Sequence, residues 1–390
     1  MEKTFGLNEV FSARPKSIFP SMTALANAHD AINLGQGFPD EDGPSELLAL
    51  AAKSLCDGPN QYVPIEGVGE LRAAVAAASK THFDLDIDPD KETLVVAGAT
   101  EGLAAAFLAF CTPGDEVVLF EPFYECYAPQ AEAAGARPAY VRLHAPEFRI
   151  TAEALNQAIS PRTKLIVLNS PHNPSGRVFD TEELRIVADA ACAHNLIVIC
   201  DDVYEHMVFD GQHHHPLALL PGMKDRCLRL GSAGKTFSVT GWRIGYATGP
   251  EELITALSRA HQFIAYTSPG HLQHAVAAGL RLPNAYFQGL AQAMQDRRDL
   301  LQAGLKELGF RVLPCEGAYF ITIDIRDAGR ENDTDFCHEI TAKAGVAAVP
   351  FSAFYRPGAK DAPRHYARFC FAKRPEVLTA ALGRLRDYFQ

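Results

Sequence analysis

Leu196-Ile197-Val198-Ile199-Cys200-Asp201-Asp202-Val203-Tyr204 is the stretch from which the fold can be read. Leu196 to Cys200 run apolar without a break and end on two acids. Such a run suits a strand covered on both faces, as in a mainly parallel sheet. Two more runs of the same kind precede it, Val117 to Phe120 and Leu165 to Leu168. Between Leu165–Leu168 and Leu196–Cys200, Asp180-Thr181-Glu182-Glu183 reads as a helix start with a capping box, using Asp at the cap. Further upstream, Leu94 to Ala97 predicts a strand and Gly102 to Cys111 an alanine-rich helix. This βα alternation is that of an open α/β sheet, whose ligands gather beyond the carboxyl ends of the strands. Asp201 lies at such an end. Period-two alternation sends Asp201 and Asp202 to opposite sides, so only one can face a ligand, and Asp202 also suits a helix or turn cap.

The pattern changes near Leu282-Pro283-Asn284. A long helix over about 285–308 is followed by a strand at Ala318 to Ile323 and a helix from Thr334 to Ala344. A strand at Ala367 to Ala372 and a final helix to Gln390 complete the chain. The expectation is an α/β protein with three parts. Residues 1–40 form an N-terminal arm packing on the small domain, 41–282 a large domain with a mainly parallel sheet flanked by helices, and 283–390 a smaller α/β domain.

Composition narrows the function. A chain of 390 residues buries a large core, and its formal net charge of -11 disfavours nucleic acid and anionic membrane surfaces as partners. No apolar stretch reaches the length of a membrane span. Met1-Glu2-Lys3-Thr4-Phe5 lacks the charged-then-apolar pattern of a signal segment. The nine cysteines stand singly without a CxxC pair, as reduced thiols of a cytoplasmic protein do. Cys200 and Cys370 sit in apolar runs and read as core.

Three motifs fail on inspection. Gly231-Ser232-Ala233-Gly234-Lys235-Thr236 ends like a P-loop, but Arg229 stands where its first glycine is needed. Gly67-Val68-Gly69 opens like a dinucleotide fingerprint, but Arg72 replaces the third glycine. His213-His214-His215, between Gly211 and Pro216, reads as a solvated loop; no metal site is expected.

Other residues carry more. Lys235 follows a Gly-Ser segment and becomes nucleophilic only if desolvation or nearby cations strip its proton. Arg368 lies inside the apolar strand Ala367-Arg368-Phe369-Cys370-Phe371. A charge there needs a partner, either a buried acid or the carboxylate of a ligand, which its planar fork matches with two parallel bonds. Gly98-Ala99-Thr100 joins a strand to a helix, so its N–H groups can face an anion, or Gly98 can simply serve a tight turn.

Eight segments, in order, carry a family resemblance: Asn33-Leu34-Gly35-Gln36-Gly37-Phe38-Pro39-Asp40, Asn60-Gln61-Tyr62, Gly98-Ala99-Thr100-Glu101-Gly102, Glu121-Pro122-Phe123-Tyr124, Pro171-His172-Asn173-Pro174-Ser175-Gly176, Asp201-Asp202-Val203-Tyr204, Ser232-Ala233-Gly234-Lys235-Thr236-Phe237-Ser238 through Gly241-Trp242-Arg243, and Arg368-Phe369-Cys370. Across nearly its whole length the chain resembles the fold-type I, pyridoxal-phosphate-dependent aminotransferases of class I/II. Within them it is most similar to the kynurenine/glutamine and methionine aminotransferases.

The resemblance implies pyridoxal 5'-phosphate as cofactor, held by Lys235 as a Schiff base, and Lys235 as the later proton shuttle. It implies that Asp201 faces the pyridine nitrogen and that Tyr204 and Asn173 bond the 3′ oxygen. It also implies that Tyr124 stacks on the ring. Gly98, Ala99, Thr100, Ser232 and Arg243 would form the phosphate cup, with Tyr62 reaching in from a partner subunit of a homodimer. Arg368, the Gly37 N–H and Asn173 would clamp the substrate carboxylate. Ile18, Phe19, Tyr62, Tyr124 and the partner's Tyr266 would line the side-chain pocket.

These walls are aromatic or aliphatic, with no arginine placed for a second carboxylate. The substrates expected are neutral, fairly large L-amino acids (methionine, glutamine or aromatic) and 2-oxo acids, with aspartate poor. Thr267 stands where the family often carries histidine, which points away from kynurenine. A cysteine-S-conjugate β-lyase on the same site remains open, since elimination needs only a β-leaving group. A non-catalytic sensor is the remote alternative; the Asn33 segment begins too early for an added DNA-binding segment.

Overall fold

The computed structural model describes residues 6–12, 14 and 16–390; residues 1–5, 13 and 15 of the expected N-terminal arm lie outside the described residues. Seven strands form the larger sheet: β1 Thr93–Val96, β2 Glu116–Glu121, β3 Arg137–Arg142, β4 Thr163–Asn169, β5 Ile197–Asp201, β6 Cys227–Ser232 and β7 Gly245–Thr248. Their order is β1-β7-β6-β5-β4-β2-β3. The pairs β2/β3, β2/β4, β4/β5 and β5/β6 are parallel, and β7 runs antiparallel to β1 and β6.

The apolar runs behave as strands buried on both faces. Val117, Leu119, Leu165 and Ile199 enter one hydrophobic cluster with Leu103, Phe107 and Leu257 of the helices Ala99–Phe110 and Glu251–Ile264. Val118, Phe120, Ile166 and Val198 enter another on the opposite face with Leu184 and Val187 of the helix Thr181–Ala193. Each fully buried aliphatic side chain contributes roughly 1.5–3 kcal/mol over exposure, so register is strongly fixed here. The capping box at Asp180 is present: its side chain accepts from the Glu183 N–H and the Glu183 side chain accepts from the Asp180 N–H.

Four antiparallel strands make the second sheet: β8 Arg311–Val312, β9 Phe320–Asp324, β10 Val349–Pro350 and β11 Tyr366–Cys370, in the order β10-β11-β9-β8. The helices Asn284–Glu307 and Pro375–Phe389 cover it, with Leu301, Leu305, Leu378 and Leu385 packed on Ile321 and Ile323. From the N-terminal segment, Met22 and Leu34 join this cluster, and Ile32–Asn33 pair in parallel with Val346–Ala347.

Several boundaries differ from the sequence expectation: the helix expected from Gly102 starts at Ala99, the strand expected to Ala372 ends at Cys370, and two further differences have a visible backbone cause. β9 starts at Phe320, because Ala318 sits at φ +61° and turns the chain just before it. The helix expected over 334–344 runs as α-helix only over Asp333–Glu339; Ile340–Ala344 form a wider π turn that Gly345 ends at φ +68°.

Candidate active site

A cavity of about 400 Å³ opens where the carboxyl ends of β4, β5 and β6 meet β9, β11 and the segment around Phe19 and Gly37. Asn169 pairs with Asp201 across β4 and β5, and Asp201 with Leu230 across β5 and β6. The register therefore sets Asn169, Asp201 and Ser232 at one end of the sheet. Lys235 follows in the short helix Ala233–Thr236.

Lys235 lies at the cavity wall, and burial pulls its amine down to about 8. Asp201 and Cys370 oppose that shift, while Arg243 and Arg368 add to it. Nζ donates to Tyr319 Oη at 2.7 Å, and that hydroxyl donates to the Gly37 carbonyl at 2.8 Å. The Tyr204 ring, buried beside the cavity, has its centroid 5.6 Å from Nζ.

Asp201 is buried, which raises its carboxyl from 3.8 to about 6. Oδ2 accepts from the Tyr127 hydroxyl, and Oδ1 has no hydrogen-bond partner among the described residues. Its backbone carbonyl accepts from Asn169 Nδ2 at 2.7 Å. Asp202 turns to the other side, as the alternation requires; its carbonyl accepts from the Glu205 N–H at 2.9 Å and opens a turn, while its side chain enters an ion pair. It accepts from Arg229 Nε at 2.8 Å, within an ion-paired group that includes Glu205.

The loop of three histidines needs a correction. His213 and His215 are exposed, but His214 is buried with Nε2 3.4 Å from Asp202 Oδ2. Asp202, Glu205 and His214 have the spacing of a cation site. The Arg229 guanidinium already bridges the two carboxylates and supplies the positive charge there.

Beside Arg243 of the cavity wall, Gly98 caps the helix Ala99–Phe110 at φ +80°. A Cβ at Gly98 would lie 2.5 Å from Arg243 Nη2, so glycine lets the guanidinium close on the helix N-terminus. Arg243 donates to the Thr240 carbonyl at 3.0 Å and has no acid partner among the described residues. Ala99, Thr100 and Ser232 line the same region, and Tyr124 faces the cavity as well.

Arg368 is fully buried on β11, yet no carboxylate pairs with it among the described residues. The buried-acid alternative is thus absent. Its Nη1 donates to Asn173 Oδ1 at 2.6 Å and its Nη2 to the Gly35 carbonyl at 3.1 Å, while Nε has no partner among the described residues. The guanidinium carbon lies 3.8 Å from the Phe320 ring centroid and 4.5 Å from that of Phe354. Burial lowers this guanidinium to about 10, so the charge is held at a desolvation cost that an anionic ligand would offset. The Gly37 N–H has no hydrogen-bond partner among the described residues, and a Cβ there would meet Phe320 at 2.7 Å.

The structure gathers Gly37, Ala99, Thr100, Tyr124, Asn173, Asp201, Tyr204, Ser232, Lys235, Arg243 and Arg368 around one cavity, with Gly98 against Arg243. Ile18 is not part of its wall; Phe19 is, while Ile18 packs on the core of the second sheet. Tyr62 and Tyr266 also lie off this wall. They pack edge-on at 5.0 Å and are 81% and 44% exposed, on a surface shared with Phe263 and Ile264. Tyr127 and Tyr319, the partners of Asp201 and Lys235, were not singled out from the sequence.

Pyridoxal phosphate fits this donor set. The orphaned Asp201 Oδ1 matches a pyridine N–H. Arg243 and a helix N-terminus match a phosphate. Lys235 offers an amine of lowered basicity to an aldehyde, and Arg368 a buried fork to a substrate carboxylate.

A family model described as aminotransferase class I and II matches residues 29–385. A Mycobacterium tuberculosis protein, named probable N-succinyldiaminopimelate aminotransferase, is 45% identical over 95% of this chain and 95% of its own. The Escherichia coli methionine aminotransferase is 38% identical, again over 95% of each chain. The solved structure of the M. tuberculosis N-succinyldiaminopimelate aminotransferase superposes with a TM-score of 0.94 and 44% identity, covering 97% of this chain and 99% of that one. With its mainly parallel sheet, its cavity and these relatives, the chain belongs to the class I and II aminotransferases, pyridoxal-phosphate-dependent transaminases of fold type I.

Proposed function

We propose that this transaminase moves the amino group of a neutral, fairly large L-amino acid (methionine, glutamine or an aromatic one) to a 2-oxo acid. The observation that carries the reading is Arg368: one buried guanidinium without an acid, set among Phe19, Phe320 and Phe354. It supplies one carboxylate clamp, and the wall beside it is aromatic. Among the described residues the other arginine on the cavity wall, Arg243, lies by the N-terminus of the helix Ala99–Phe110.

Bound pyridoxal phosphate supplies the electron sink for charge at the substrate's α-carbon. The chain's own groups do the rest. Lys235 is the amine that holds the cofactor and later carries the α-proton, and its lowered basicity leaves a neutral fraction near pH 8. Asp201 keeps a proton on the ring nitrogen. Asn173, whose Oδ1 is engaged by Arg368, would turn its Nδ2 to the 3′ oxygen together with Tyr204. Tyr124 covers the ring face. Ser232, Arg243 and the backbone of Gly98, Ala99 and Thr100 hold the phosphate. Arg368, Asn173 and the Gly37 N–H fix the carboxylate, and Phe19 lies against the substrate side chain.

In this reading the enzyme is a homodimer, and Tyr62 of the partner subunit and the partner's Tyr266 complete each site. The exposed surface of Tyr62, Phe263, Ile264 and Tyr266 supports that assembly. In the same reading the chain divides into 1–40, 41–282 and 283–390; of the described arm residues, Ile18, Met22 and Leu34 pack on the smaller part, while Arg14 pairs with Glu132 and Ser17 donates to Glu125 of the larger one. A cytoplasmic location accords with nine unpaired cysteines; no described helix is long and apolar enough to cross a membrane.

The relative at 45% identity favours a second donor, N-succinyldiaminopimelate, whose α-amino acid end needs the same clamp. A donor panel against two 2-oxo acids, with ammonia followed in parallel, tests both. Methionine, glutamine or an aromatic donor should give the highest kcat/KM, and aspartate a poor one. Preference for aspartate overturns the proposal, preference for N-succinyldiaminopimelate replaces it with the second reading, and ammonia with pyruvate in the absence of an acceptor identifies a β-lyase.

A further inference from the structure

We propose that Tyr319 is a positioning residue for Lys235: its hydroxyl anchors the free amine and aims the nitrogen lone pair into the cavity. The inference deepens the reading of Lys235 as the proton-carrying amine and rests on it. Two bonds define the geometry, Nζ to Tyr319 Oη at 2.7 Å and Tyr319 Oη to the Gly37 carbonyl at 2.8 Å.

The direction of these bonds matters more than their number. A carbonyl oxygen carries no proton, so the single phenolic proton of Tyr319 is committed to Gly37. Toward Lys235 the hydroxyl can then only accept. A tyrosine that donated to a neutral amine would occupy the lone pair that must receive the α-proton. This one takes an N–H and leaves the lone pair unengaged.

The anchor itself cannot swing away. Tyr319 is fully buried, with ring centroids of Tyr204 and Phe320 at 4.9 and 4.7 Å. Ala318 at φ +61° sets its approach, and its carbonyl accepts from the Phe371 N–H at 3.0 Å. The charged or titratable groups facing Lys235 are Asp201 and Cys370, which favour its ammonium form, and Arg243 and Arg368, which oppose it. The rings of Tyr204 and Tyr319 lie 5.6 and 5.4 Å from Nζ. Through Gly37, Tyr319 also links the amine to the segment whose free N–H is proposed for the substrate carboxylate, so amine and carboxylate are referenced to one rigid hydroxyl.

The test is Tyr319→Phe, which keeps the ring and removes the hydroxyl. In the cofactor-free protein, competitive acetylation across pH, read by peptide mass spectrometry at Lys235, should show its midpoint of reactivity lowered by about half a unit or more, because an acceptor of the ammonium is gone. In the loaded enzyme kcat should fall about tenfold to a hundredfold, the scale of a misplaced proton-transfer group, with KM within about threefold. The isotope effect from an α-deuterated donor should rise. An unchanged labelling midpoint, or an unchanged isotope effect beside a shifted midpoint, overturns the proposal. Should the phenylalanine protein not fold, 3-fluorotyrosine at 319, a weaker acceptor of the same shape, must move the midpoint in the same direction. If the wild type turns over no amino donor, the reaction assignment fails instead, while the labelling of the cofactor-free protein still decides Tyr319.

Discussion

Replacing Asp201 with asparagine should stabilise the cofactor-free protein at neutral pH and destroy its function. The carboxyl is buried and has one oxygen without a partner, and its pKa rises from 3.8 to about 6. Between those values the folded chain keeps a proton that the unfolded chain has lost, so stability falls as pH rises through that window. The penalty is absent below about pH 4 and complete above about pH 6. About two units at about 1.4 kcal/mol each give a penalty on the order of 3 kcal/mol. The substituted amide cannot ionise, and its carbonyl can still accept from Tyr127, so the variant escapes most of this cost. Urea unfolding of both cofactor-free proteins, at one protein concentration because dissociation contributes, should show the variant more stable by about 3 kcal/mol at pH 7.5 and indistinguishable near pH 4. Adding pyridoxal phosphate should reverse the order, since only the carboxylate pairs with a protonated ring nitrogen. A variant less stable at pH 7.5, or a difference equal at both pH values, would refute the reasoning.

Arg368→Lys keeps the charge but loses the fork. It should cost about 1.5–3 kcal/mol, roughly 10- to 150-fold in kcat/KM, for amino acid and 2-oxo acid half-reactions alike. Single-turnover kinetics check this, and simple amines without a carboxylate should react no more slowly than with wild type. Gly98→Ala puts a Cβ 2.5 Å from Arg243 Nη2 at a backbone φ of +80°. The guanidinium must move, and cofactor affinity measured by fluorescence titration should weaken about tenfold or more, a loss of about 1.4 kcal/mol.

The legible part of the fold was the part buried on both faces. The centres of β2, β4 and β5 (Val117–Phe120, Leu165–Leu168 and Ile197–Cys200) are unbroken apolar runs because helices cover both sides, and the polar residues of these strands stand at their ends. β6 was hidden by Arg229 and Gly231. A charge inside a central strand reads as a loop until Asp202 and Glu205, its partners, are placed beside it. The edge strand β3, Arg137-Pro138-Ala139-Tyr140-Val141-Arg142, shows its arginines and proline because one side of it has no neighbour. At the cavity, residues in compact segments could be named from their order along the chain. Tyr127 and Tyr319 could not. A tyrosine in an apolar stretch is usually core, and the atoms these two touch lie 74 and 84 residues away. Only the strand register and the turn at Ala318 bring them there.

The central claim is that one amine, that of Lys235, carries the cofactor. Borohydride reduction of the protein loaded with pyridoxal phosphate, followed by proteolysis and mass spectrometry, tests it most directly. The account predicts one pyridoxyl-phosphate mass increment, on the peptide containing Lys235, and its loss in Lys235→Ala. A stable increment on a different lysine, or none on a protein that still transaminates, would contradict it.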